Sequence, residues 1–127
     1  MFTPSNIATP EEIFKACQEA ETALEAHYNA DNATACTERL QLLEGHMATT
    51  GKMLADAKHH LRMRTERSID DLYDKKAKLS PSIFNKYIEA HTRDYGYLAD
   101  WCNRLNASCV HSIEATRTII SKLKEEM

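Results

Sequence analysis

Cys17, His46, Cys109 and His111 are the residue types that hold zinc or iron, and a helical protein carries such a centre best on inward-facing Glu-x-x-His pairs. No Glu-x-x-His pair occurs in the chain. His111-Ser-Ile-Glu114 has the order reversed, and on helical spacing both side chains point away from the stripe headed by Cys109 and Ile113. The four candidate ligands match no usual zinc spacing, so a metal-dependent helical-bundle enzyme is the least supported function. Gly45 to Met53 has a phosphate-loop flavour but fails it: one residue too many separates Gly45 from Gly51, and Met53 stands where Ser or Thr would hold magnesium. No activated nucleophile or acid-base pair stands out, and the chain reads as a non-enzyme that needs no cofactor.

Two other groups could bind something. Lys58, Arg62, Arg64 and Arg67 form a basic run with His59 and His60, preceded by Lys52 and extended by Lys75, Lys76, Lys78, Lys86 and Arg93. Tyr73, Phe84, Tyr87 and Tyr95 are interspersed with them, and cations that take phosphates beside rings that stack bases are how single-stranded DNA is often held. Asp56, Glu66, Asp70, Asp71 and Asp74 share the region, however, and can pair with those bases on a solvated face. Nucleic-acid binding by residues 52–93 is therefore the alternative reading. Tyr97 and Trp101 are the second group, a candidate anchor for a protein partner because such rings offer large contact area at small entropic cost.

The elements that carry these residues follow from periodicity. Leu98, Cys102, Leu105, Cys109, Ile113, Thr116, Ile120 and Leu123 recur every three or four residues, one apolar stripe on one helix. Ile83, Phe84, Tyr87, Ile88, His91 and Tyr95 lead into it, and the frame crosses Gly96 without a change of phase, which favours a single helix over 81–126 with His91 on the buried side, Gly96 being the one place where it could divide into two. Cys36, Leu40, Leu43, Met47, Thr50, Leu54, Ala57 and Leu61 make a coiled-coil-like seam. The seam shifts through Thr65 and Ile69 to Leu72 and Leu79, as a stutter does, and predicts a helix over 34–79. Gly45 and Gly51 lie inside it and read as tolerated, or as points of close approach. Ser80-Pro81 separates the two helices. Thr9-Pro10-Glu11-Glu12 is a capping box with proline at the first helical position, starting a shorter helix over 10–30 whose face is Ile13, Cys17, Ala20, Leu24 and Tyr28. Residues 1–8 lack periodicity and read as flexible.

The fold class is thus all-α: a long antiparallel hairpin (34–79 and 81–126) with a shorter N-terminal helix, in one domain over 1–127. Three glycines and three prolines in 127 residues agree, since strands and turns consume those residues. The four cysteines form no C-x-x-C pair, and each falls on or near an apolar face, as reduced buried thiols do. No apolar run reaches the length of a membrane span and no signal peptide opens the chain, which places it in the cytoplasm, away from membranes. The first helix is less than half as long as the other two and covers only the end of the hairpin distant from the turn. That imbalance predicts a homo-oligomer, most simply a twofold dimer, in which a second copy completes the bundle.

Arg104-Leu-Asn-Ala-Ser-Cys-Val-His-Ser-Ile-Glu-Ala-Thr-Arg117 with Thr118 to Met127, together with Gly51-Lys-Met-Leu-Ala-Asp-Ala-Lys58, resembles small all-helical proteins encoded by bacteriophages and prophages. The resemblance covers about a quarter of the chain. It brings no binding residue to carry over, but it implies a setting, in which small helical proteins act by binding something else. The leading expectation is an accessory or inhibitory factor that works through protein contacts.

Overall fold

The computed structural model describes residues 6–74 and 78–126, and in them there are three helices and no strand. The first, α1, spans Pro10–Glu25. Thr9 Oγ1 accepts from the Glu12 amide at 3.2 Å while Glu12 Oε1 accepts from the Thr9 amide at 3.4 Å, so two otherwise orphaned donors are satisfied reciprocally. The helix stops five residues short of the expected 30. It has no base in its last turn, and Arg39 of the next helix takes over the exposed carbonyls, donating to Ala23 O, Leu24 O and Ala26 O at 3.2 to 3.4 Å. A guanidinium there faces the negative end of the helix dipole, and it also lies over the Tyr28 ring at 4.4 Å.

The second helix, α2, spans Ala33–Asp74. Asn32 starts it, its Oδ1 accepting from the Ala35 amide at 3.0 Å. The expected helix ran to Leu79, but residues 78–80 are not helical and residues 75–77 lie outside the described chain. The last turn carries Asp71 and Asp74 and no base, and acids there oppose the dipole. The third helix, α3, spans Pro81–Glu125 without a break at Gly96. Ser80 caps it, extended as the residue before proline must be, with its hydroxyl accepting from the Ile83 amide at 3.3 Å.

As residue numbers rise along α2 through Glu44, Met47, His60 and Arg64, their partners on α3 fall through Arg117, Asn106, Tyr95 and His91. The two helices therefore run side by side in opposite senses. Leu43, Thr50, Ser68, Cys109 and Thr116 are among the buried side chains along them. Four buried hydroxyls, of Thr50, Ser68, Thr92 and Thr116, each donate to the carbonyl four residues back on their own helix, which lets a polar residue occupy an apolar seam. α1 closes the core with Ile13, Cys17 and Ala20 packed against Ala57 of α2 and Leu98, Ala99, Cys102 and Leu105 of α3.

The glycines do not mark close approaches. A Cβ at Gly51 would make an ordinary 3.6 Å contact with Asn106 Nδ2, and at Gly45 or Gly96 it would meet nothing within 4 Å. Gly45→Ala and Gly96→Ala are each expected to raise stability by about 1 kcal/mol through helix propensity, read as a higher urea midpoint at unchanged slope.

Candidate functional site: an aromatic ledge and an uncovered trough

Phe14 of α1 and Trp101 of α3 meet edge to face, with ring centroids 5.4 Å apart, and Tyr97 lies one helical turn away at 6.0 Å from Trp101. Trp101 Nε1 donates to Glu21 Oε2 at 3.2 Å, which fixes the indole. Phe14 is 45% and Tyr97 63% exposed, so two of the three rings present much of their surface to solvent. Beside this ledge a groove of about 650 Å³ runs along α3 past Asp100, Arg104 and His111, and a second runs between Trp101 and the α1 carboxylates Glu21 and Glu25. The sequence singles out Tyr97 and Trp101; Phe14 completes the cluster, and its signal was an aromatic flanking the α1 stripe rather than lying on it.

The basic run divides. Arg64 and Arg67 line a trough of about 390 Å³ together with His60, Met63, Glu66, Asp70 and Tyr95, whereas Lys58 and Arg62 do not. At 100° per residue Lys58 and Arg62 point to the opposite shoulder of α2, so the four cations do not form one track. Arg64 Nε also donates to His91 O at 3.3 Å.

His91 corrects an expectation. It is exposed, stacked on Tyr87 with centroids 4.0 Å apart, its Nδ1–H donating to Tyr87 O at 2.8 Å. It does sit on the stripe that α1 covers further along α3, but α1 begins too late to reach it. Ala8, two residues before α1, is already level with His60 and Tyr95.

Asn6 and Ala8 have hydrogen-bond partners on α2. Asp56 Oδ2 accepts from the Ala8 amide at 3.0 Å and from Lys52 Nζ, Lys52 donates to Asn6 O at 3.3 Å, and His60 Nε2–H donates to Ala8 O at 2.7 Å. The expectation of flexibility for residues 1–5 lies outside the described residues. Lys52, Asp56 and His60 fall one turn apart on one face of α2, a spacing visible in the sequence whose target was not. Burial pushes the Asp56 carboxyl up, but the Lys52 hydrogen bond, the Ala8 amide and the charges of Lys52 and His60 outweigh it and hold it below the ordinary 3.8.

The thiols pack. Cys17 Sγ lies 3.4 Å from Cys102 Sγ, both fully buried, and Cys36 and Cys109 are buried and free as well. Either thiol can donate to the other; that hydrogen bond, with burial adding to it, raises Cys17, the same bond lowers Cys102, and burial pushes Cys109 up. Cys17 thus meets Cys102 rather than His46 or Cys109, and no group of three potential metal ligands forms among the described residues. No described helix is long and apolar enough to cross a membrane. The chain matches no protein-family model, no curated protein and no solved structure.

Proposed function

We propose that this chain is a non-enzymatic helical interaction protein, an accessory or inhibitory factor of the phage or prophage kind, acting in the cytoplasm through protein contacts. In this reading α2 and α3 form a long antiparallel hairpin whose bundle is completed by a second copy, and the ledge of Phe14, Tyr97 and Trp101 engages a different protein. The observation that carries the reading is the ledge: Phe14 and Tyr97 each against Trp101, which Glu21 fixes, on two packed helices, with much of Phe14 and Tyr97 exposed. Preorganised aromatics of this kind dominate protein interfaces. Glu21, Glu25 and Arg104 line the adjoining groove, so the partner brings an apolar side chain flanked by charged groups that complement both signs. The division of Lys58 and Arg62 from Arg64 and Arg67 weighs against single-stranded DNA as the ligand.

The test is binding by a purified partner. A protein retained from a bacterial host extract is purified and titrated against the wild type, Phe14→Ala and Tyr97→Ala at equal helicity. Each variant is expected to weaken binding about tenfold or more, the scale of an interface hot spot. Equal affinity of wild type and both variants would remove the ledge as the contact.

A further inference from the structure

Met53, Ala57, His60, Arg64, Arg67, Asp71 and Asp74 recur along α2 at spacings of four and three, so they form one stripe. Its first half is where the N-terminal element lies. Ala57 and Met53 pack in the core with Ile13 and Cys17, and His60 holds Ala8 O. Beyond His60 the stripe continues for about 21 Å, at 1.5 Å per residue, with no helix on it. There it reads Arg64, Arg67, Asp71, Asp74: two bases, then two acids. Among the described residues none of the four forms an ion pair, the ion pairs being Lys52 with Asp56 and Arg117 with Glu44. Half-buried Tyr95 and exposed Met63 line the trough beside Arg64 and Arg67, together with Glu66 and Asp70.

We propose that this stripe, with the trough that lies beside its two bases, is the self-association surface, occupied by the same stripe of a second copy running antiparallel about a twofold axis level with Ile69. The proposal rests on the self-association put forward above and names the surface. The order of charges selects the partner. Reversing the direction of one stripe against another about residue 69 places Arg64 opposite the second copy's Asp74 and Arg67 opposite its Asp71, and symmetry repeats both pairs. A twofold contact must be self-complementary, and two bases followed by two acids form such a pattern. A polyanion would meet the two aspartates as readily as the two arginines. A foreign helix would need the matching pattern by coincidence.

The experiment uses the full chain in three forms: wild type, Arg64→Glu with Arg67→Glu, and Asp71→Lys with Asp74→Lys. Asp71, Asp74 and Arg67 are exposed, so the acid-to-base variant leaves the fold intact, and circular dichroism checks both. Light scattering across concentration is expected to show a wild-type dimer whose dissociation midpoint rises with salt, and both variants dissociating at a concentration at least about tenfold higher. An equimolar mixture of the two variants restores a dimer at or below the wild-type midpoint, because every facing pair is again of opposite sign. A wild-type dimer that both variants retain overturns the trough while leaving self-association standing elsewhere. Variants that dissociate but do not rescue each other overturn the charge register. A wild type monomeric at every concentration overturns self-association itself, and if its retention on an oligonucleotide column is then lost in the Arg64, Arg67 variant, the trough's occupant is a nucleic acid instead.

Discussion

Asp56→Ala is expected to destabilise the protein by about 2 to 3 kcal/mol, the range for removing a buried, charge-assisted hydrogen-bond acceptor. Asp56 is 5% exposed and holds two donors at once, the Ala8 amide and the Lys52 ammonium. Without it the Ala8 amide loses its acceptor, the half-exposed Lys52 ammonium keeps only Asn6 O and water, and the Asn6 to Ala8 segment keeps only the His60 and Lys52 bonds to its carbonyls. The same carboxylate makes stability depend on pH in a definite direction. Its folded pKa lies below the unfolded value near 3.8, so the unfolded chain takes up the proton first as pH falls. The stabilisation it supplies is complete above that unfolded value and is lost as pH falls through the folded one. Thermal melts from pH 7 to pH 2 should therefore show an acid limb that is shallower in Asp56→Asn, and parallel limbs would exclude Asp56 as a contributor.

Ile13→Ala should cost about 2 to 5 kcal/mol, the span for deleting a fully buried branched side chain and leaving a cavity. Ile13 has no exposure and stands at the start of the α1 face, among Cys17, Ala20, Ala57 and Leu98. The surrounding side chains are held on three helices packed against one another, which limits how far they can close the space. Denaturant titration checks the figure. Hydrogen exchange locates it: α1 amides should lose protection more than those of Thr50 to Ala57, because α2 still has α3 against it.

The helices were legible in the sequence because their signals are local. Thr9-Pro10-Glu11-Glu12 specifies a start by itself, Ser80-Pro81 specifies an interruption, and a three-and-four repeat from Cys36 to Leu61 leaves one face to bury. The ends that were misplaced depend on distant residues. α1 stops at Glu25 because Arg39, fourteen positions further on, supplies the donors that another turn would have supplied. His91 obeys the stripe and is still exposed, because periodicity tells which face a residue occupies and not whether a neighbour extends far enough to cover it. Arg64, Arg67, Asp71 and Asp74 show the same limit from the other side. Their spacing was in the sequence from the start, but that they prolong the row on which α1 lies appears only once Ala57 and His60 are seen beneath that element. Tyr97 and Trp101 were recognisable by type, whereas Phe14 joined them through a contact between residues 87 positions apart.

Small-angle scattering over a dilution series tests the central claim, that α1 covers only part of a pair of long helices and leaves the rest to a second copy. A compact chain of this length has a radius of gyration of about 14 Å, whereas the 45-residue α3 is by itself about 68 Å long. The expected result is a radius of gyration clearly above 14 Å at the highest dilution, with a forward intensity that climbs toward that of a dimer as concentration rises. A radius near 14 Å that does not change with concentration would contradict both halves of the claim.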